Sequence, residues 1–167
     1  MKLETKRLSL FPLTYEQLLL YKALNDRLET ELGLQRYPRT IAPNLAVAID
    51  NRILPGVKNN PGDWLFLTIW LITDSEKKLA VGDLCFKGAP GEKGEIEIGY
   101  GGFNGFQGRG YMTEAVAAIS TWALAQPGVK TIFATTDPAN TASQRVLAKN
   151  NFTRLDTAGD IEWRLSR

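Results

Sequence analysis

The residues best equipped for chemistry sit in Phe106-Gln107-Gly108-Arg109-Gly110-Tyr111-Met112-Thr113-Glu114-Ala115, a glycine-rich stretch that leads into an apolar-periodic segment. In the first turn of a helix the backbone N–H groups have no intrahelical partner, and the helix dipole favours negative charge. Glycines let an anion approach the main chain, and Arg109 adds a cation. The chemistry implied is the holding of a phosphorylated ligand. The alternative is a set of glycines that only shape a turn and cap a helix. Two familiar phosphate patterns fail here. Gly105 and Gly110 have the Walker spacing, but Tyr111-Met112 follow where lysine and Ser/Thr are needed. Gly108 and Gly110 begin a dinucleotide fingerprint, but Thr113 stands where a third glycine or an alanine is required.

Histidine is absent from all 167 residues, and Cys85 is the single cysteine. Histidine-based triads and His-ligated zinc are thereby removed, as are internal disulfides and cysteine-rich metal sites. No metal is expected. Cys85 lies in an apolar strand segment with no basic neighbour in sequence, and reads as inert core. Trp64, Trp70, Trp122 and Trp163 read as core or interface aromatics.

The elements that must position these groups follow from periodicity. Leu8 to Phe11 reads as a strand. Thr14-Tyr15-Glu16-Gln17 is a capping box, with Leu13 and Leu18 placed for a hydrophobic staple. The helix it opens repeats Tyr21, Leu24, Leu28 and Leu32, then stops at Gly33. Leu45 to Leu54 reads as a second helix, ended by Pro55-Gly56. Trp64 to Ile72 and Leu79 to Lys87 are strands. Gly94 to Tyr100 alternates, so Glu95 and Glu97 share one face and Ile96 and Ile98 the other. The segment after the glycines has an apolar helical face of Met112, Ala115, Val116, Ile119, Trp122 and Ala123. Thr131 to Thr136 is a strand, Asn140 caps a helix to Lys149, and Phe152 to Leu165 forms a terminal hairpin. This order predicts an α/β fold with a mixed sheet.

Composition is that of a globular chain, 44% apolar and 23% charged, with net charge +2. One domain over 1–167 is expected, burying roughly 70% of the surface the unfolded chain exposes. The charge is too weak to argue for nucleic acid. The N-terminus lacks the order of a signal peptide, and Trp64 to Ile72 is too short to cross a bilayer. A cytoplasmic protein without membrane attachment is expected, as a monomer or homodimer.

The sequence resembles a known family. Gln107-x-x-Gly110 before an amphipathic helix resembles motif A of the GNAT acetyltransferases. Gly108-x-Gly110-Tyr111-x-Thr113-Glu114-Ala115 is similar to its ribosomal-protein N-terminal acetyltransferase branch. Asn140-x-x-Ser143-x-Arg145-Val146-Leu147-x-Lys149-x-x-Phe152, Glu97-Ile98-Gly99-Tyr100, Val81-Gly82 and Glu4-Thr5-x-Arg7-Leu8 resemble that branch too. Met112 departs from the family's glycine or alanine, Leu147 from its frequent tyrosine acid, and Asn151 from a common glycine. Asparagine tolerates the left-handed backbone a glycine would take there.

The resemblance implies a mostly antiparallel sheet of six or seven strands, splayed between Glu95–Tyr100 and Thr131–Thr136. It implies acetyl-CoA as co-substrate, held by Gln107, Gly108, Arg109, Gly110, Tyr111, Met112, Asn140 and Ser143. The reaction implied is direct acetyl transfer to a primary amine, either a protein N-terminus or a small molecule. Glu97 or Glu95 would be the base and Ser143 the proton donor to the departing thiolate. Each has an ordinary structural reading: a solvated sheet face for the glutamates, local backbone satisfaction for the serine. The variable segment Pro38 to Asn60 would wall the acceptor. A binding module that keeps the coenzyme site without catalysis is the alternative.

Overall fold

The computed structural model describes residues 1–156 and 159–167. The turn of the expected terminal hairpin falls on 157 and 158, outside the described residues. Two strands open the chain, β1 (Leu3–Glu4) and β2 (Leu8–Pro12). Thr14 then starts α1 (Tyr15–Ala23) with the expected capping box, its side chain accepting from Gln17 N–H while the Gln17 side chain accepts from Thr14 N–H. Leu13 and Leu18 flank the cap and are fully buried.

The helix expected to run to Leu32 is broken. Leu24 and Asp26 take φ of 53° and 58°, and α2 (Arg27–Glu31) starts afresh. Asn25-Asp26 is the local cause, since both residue types accept turn and left-handed geometry. The new start lets the neighbours Leu28 and Glu29 both turn inward.

The second expected helix is longer than predicted. α3 (Pro43–Ala48) widens into a π-type turn at Ile49–Ile53 and continues as α4 (Leu54–Asn59). Pro55 has no N–H, and its ring crowds the carbonyl four residues earlier. A wider turn just before it relieves that conflict, so the helix passes through Pro55-Gly56 instead of ending there. Trp64–Leu67, expected as strand, is a helical turn, α5. It aims Phe66 at the rings of Phe86 and Trp122, and its Leu65 carbonyl accepts from Trp70 Nε1 at 2.9 Å.

The remaining elements are β3 (Ile69–Asp74), β4 (Leu79–Phe86), β5 (Glu95–Gly102), α6 (Tyr111–Ala125), β6 (Thr131–Thr136), α7 (Thr141–Lys149), β7 (Thr153–Asp156) and β8 (Ile161–Ser166). Among the described residues they complete one eight-stranded sheet in the order β1-β2-β3-β4-β5-β6-β8-β7. The short β1 is the strand beyond the expected six or seven. Among the described residues every neighbouring pair is antiparallel except β5 with β6. The mixed, mostly antiparallel α/β architecture read from the sequence is the one observed. α6 covers one face, burying Ala115, Val116, Ile119 and Ala123, and its Trp122 packs on Phe86. Tyr21 of α1 meets the opposite face at Asp83.

The β5–β6 register decides where a ligand can enter. Glu95, Ile96 and Glu97 pair with Thr131, Ile132 and Phe133, and there the pairing ends. From Ile98 to Gly102 β5 pairs with β4, and from Ala134 to Thr136 β6 pairs with β8. The two strands therefore splay, leaving facing backbone edges outside the sheet ladder. Such edges call for hydrogen-bond partners.

Candidate active site

The splay opens toward the start of α6. Gly105, Gly108 and Gly110 approach it with φ of 83°, 74° and 76°, a left-handed region that side chains resist. Gly110 is the N-cap and brings no side chain of its own to cap the first turn. The N-terminal segment straps this turn in place. Thr5 Oγ1 and the Arg7 backbone N–H donate to Glu114 Oε1 at 2.6 and 2.9 Å, and Arg7 Nε donates to Oε2 at 2.7 Å. Arg7 Nη1 donates to the Arg109 carbonyl at 3.0 Å. Burial alone would raise the Glu114 carboxyl, but the bonds from Thr5 and Arg7 outweigh it and hold it below its ordinary value.

A cleft of about 480 Å³ lies between β5, this turn and α7. Of the residues expected to hold a coenzyme, Gln107, Gly108, Gly110, Tyr111, Met112, Asn140 and Ser143 line it together. Arg109 does not; its guanidinium lies over the Phe106 ring. Tyr111 spans to the β3–β4 turn, its hydroxyl donating to Asp74 Oδ2 at 2.5 Å and accepting from Lys77 Nζ at 3.1 Å. Met112 leans over Gly82, where a Cβ would sit 3.1 Å from its Cε and 2.6 Å from the Gly101 carbonyl. Glycine at position 82 is thus a requirement of close approach. Asn140 Oδ1 caps α7 by accepting from the Ser143 N–H at 3.1 Å, which leaves its amide nitrogen for another partner. Asn151, just beyond α7, has φ of 61°, the left-handed geometry expected of it.

Three further residues of the cleft were not singled out from the sequence as site residues. Arg145 and Lys149 line it, and their i, i+4 spacing on α7 puts both cations on one face. That spacing was the legible signal. The third is Tyr100, whose hydroxyl lies 2.8 Å from Ser143 Oγ and donates to the Ser143 carbonyl at 3.2 Å. Burial pushes its phenol up to about 12, with the Ser143 bond opposing.

Glu95 and Glu97 project from the opposite face of β5 and lie outside the cleft lining. Glu97 pairs with Lys87. Glu95 pairs with Arg164 at 2.7 Å, and that hydrogen bond holds its carboxyl below the ordinary value. Cys85 is half-buried on the same face, and burial pushes its thiol up. Deeper on this side, Tyr21 donates to Asp83 Oδ2 at 2.7 Å, and Arg39 donates to Glu29 Oε1 at 2.6 Å and to the Tyr21 carbonyl at 2.8 Å.

Fold and cleft define an α/β protein in which two central strands part beside a glycine turn. The chain belongs to the GNAT acetyltransferase domain family, whose profile matches residues 7–153. An uncharacterized N-acetyltransferase of Bacillus subtilis (strain 168), YjdG, is 35% identical over 83 residues, and the match spans 50% of this chain and 49% of that protein. The shared segment is therefore about half the length of that relative.

Several solved structures share the fold. RimL, a ribosomal L7/L12 alpha-N-protein acetyltransferase in complex with coenzyme A, superposes with a TM-score of 0.69 at 17% identity, over 99% of this chain and 98% of that one. The ribosomal-protein-S5-alanine acetyltransferase of Vibrio fischeri gives 0.73 at 16%, over 99% and 96%. An acetyltransferase of Agrobacterium tumefaciens str. C58 gives 0.68 at 22%, over 100% and 95%. Among the described residues no helix is long and apolar enough to cross a membrane.

Proposed function

We propose that this protein transfers the acetyl group of acetyl-CoA directly to a primary amine, on a protein N-terminus or a small molecule. The observation that carries this reading is the meeting of two features: the β5–β6 splay runs into the glycine turn before α6. Uncapped N–H groups at Gln107 to Met112 suit a pyrophosphate, with Arg145 and Lys149 adding positive charge. Freed strand edges suit the amides of an extended pantetheine arm. Asn140 would contact that arm, and Ser143 would stand at its sulfur. Arg109 remains assigned to the coenzyme, where its side chain would have to leave Phe106.

Transfer needs a deprotonated amine, a stabilised oxyanion and an assisted thiolate. Glu97 is the assigned base. It lies on the far face of β5 from the cleft but at the last β5–β6 ladder pair, so it would act, directly or through water, on an amine entering the splay from that face once Lys87 yields. Glu95, held by Arg164, is the weaker candidate. Cys85 has no activating histidine and a raised thiol, so attack by the amine is favoured over an acyl-enzyme. The segment Pro38 to Asn60 is assigned to the acceptor. Arg52, in the π-type turn, donates to the Phe86 carbonyl at 3.1 Å, tying that wall to the end of β4. The ribosomal-protein acetyltransferases of the same fold support the N-terminal acceptor.

A second reading draws on the ion pairs: with both glutamates paired, a coenzyme-binding module without catalysis is the competitor. Amine-dependent release of free thiol from acetyl-CoA separates the two, tested with polyamines, aminoglycosides, amino acids and N-terminal peptides. Release with one acceptor class supports the enzyme; thermal stabilisation by coenzyme A without release with any of them supports the module.

A further inference from the structure

We infer that Tyr100 is a positioning residue: its hydroxyl fixes the direction in which the Ser143 hydroxyl points its proton, and so aims that proton at the sulfur leaving the cleft. The inference rests on the acetyl-transfer reading above. It starts from the Tyr100 and Ser143 hydroxyls, 2.8 Å apart, and the Tyr100 contact of 3.2 Å to the Ser143 carbonyl. Tyr100 comes from β5 and Ser143 from α7, so the pair bridges the walls of the cleft that both line.

A serine hydroxyl has one proton and two acceptor lone pairs. Unsupported, it rotates freely and donates wherever an acceptor stands. A phenol that donates to Ser143 Oγ occupies one lone pair and leaves the serine proton for another acceptor. If the phenol donates only to the Ser143 carbonyl, the serine proton points back at Tyr100 and away from the cleft. The two arrangements differ by a small rotation of one O–H bond. Both acceptors belong to Ser143, at 2.8 and 3.2 Å, so the phenol proton can stand toward Oγ without leaving the carbonyl. Only that arrangement serves the reaction, and it needs a protonated tyrosine. Burial keeps Tyr100 in that form, with its phenol pushed up to about 12.

The step balances simply. The amine nitrogen forms the new C–N bond, and the C–S bond breaks with its electron pair going to sulfur. The amine proton goes to the base or to water, and the thiolate accepts a hydrogen bond from Ser143 Oγ–H. Tyr100 gives up no proton.

The test is a double-mutant cycle on the unaltered chain with acetyl-CoA and an acceptor that gives thiol release. Tyr100→Phe keeps the ring and removes the hydroxyl. It should lower kcat on the order of 10-fold with KM for acetyl-CoA within about twofold. Ser143→Ala should lower kcat on the order of 100-fold, and the double variant should be no slower than Ser143→Ala alone. Losses that multiply, or Tyr100→Phe at normal turnover, would overturn the inference. Replacing Tyr100 by 3,5-difluorotyrosine, a similar shape with a more acidic phenol, covers any failure of the phenylalanine variant to fold. Its kcat should fall as the phenol ionises and becomes an acceptor, where the natural protein shows no such fall; a pH profile parallel to the natural one refutes the role. If the unaltered protein releases no thiol with any amine, the acetyl-transfer reading fails first and this inference with it. Release that is indifferent to Tyr100 sinks this inference alone.

Discussion

Arg7 and Glu114 lie 107 positions apart in sequence, yet Arg7 Nε donates to Glu114 Oε2 at 2.7 Å while Arg7 Nη1 donates to the Arg109 carbonyl at 3.0 Å. One arginine thus clamps both ends of the turn from which α6 departs. Glu114 also accepts from Thr5 Oγ1 at 2.6 Å, so the chain's first turn and the glycine loop form one unit.

Glu114→Gln should therefore loosen the loop as well as the fold. The amide keeps one acceptor oxygen but loses the charge-assisted pairing, at a cost of about 1–2 kcal/mol. Its effect should depend on pH. Glu114 has a folded-state pKa below its ordinary value of 4.5. Its contribution is complete above that value and fades as pH falls through the lower folded-state value. Urea midpoints of the natural protein and Glu114→Gln should differ at pH 7 and converge in strong acid. An unchanged gap would show that the Arg7 clamp holds equally well without the charge.

Gly110→Val tests the cradle itself. At φ of 76° a β-branched side chain strains the backbone, costing about 1–3 kcal/mol of stability. If the first-turn N–H groups hold the pyrophosphate, affinity for coenzyme A should fall at least on the order of 10-fold in protein that is still folded. Calorimetric titration beside a melting curve measures both. Unchanged affinity in folded Gly110→Val removes Gln107 to Met112 as the cradle.

How far the sequence could be read depended on how local the cause was. The capping box at Thr14, the α6 face and the left-handed Asn151 are each set by a few adjacent residues, and each is observed. The splay was legible only through family resemblance, because it arises where β4 and β8 draw off the pairing of β5 and β6. The break at Asn25-Asp26 was hidden beneath an apolar period that continued across it. The helix through Pro55 was read as ended, since sequence alone does not show a π-type turn. The role of Tyr100 was not legible for a different reason. A tyrosine on a buried strand face looks like core, and only the approach of α7 gives its hydroxyl a partner.

Asp83 carries the opposite pH dependence from Glu114. Burial pushes its carboxyl up to about 6, against the Tyr21 hydrogen bond and the Arg39 charge, from an ordinary 3.8. Between these values the folded state binds more protons than the unfolded state, so stability falls as pH rises through the window. The penalty is complete above it and amounts to about 3 kcal/mol at most. Asp83→Asn keeps an acceptor for the Tyr21 hydroxyl and carries no charge. It should gain on the natural protein steadily from pH 4 to pH 7 in urea unfolding. A constant difference across that range would mean that Asp83 ionises without penalty.

Glu97→Gln asks whether the proposed transfer uses a protein base at all. The substitution keeps the shape of the side chain and removes its basicity; it also releases Lys87 from its ion pair. If Glu97 takes the amine proton, turnover should fall on the order of 10²–10⁴-fold while coenzyme affinity survives. Activity of the natural protein should rise with pH in either case, because a protonated amine does not attack. The pH profile alone therefore cannot assign the base. The variant can, provided the acceptor is genuine and saturating. Near-normal turnover would leave the Glu97–Lys87 pair as a strut of the sheet face. The cleft would then act by holding the thioester beside an amine that water deprotonates. Glu95→Gln, freeing Arg164 on the same face, separates loss of a base from a general change in charge: a comparable fall would point to the electrostatics of the face, and a small one to Glu97 itself.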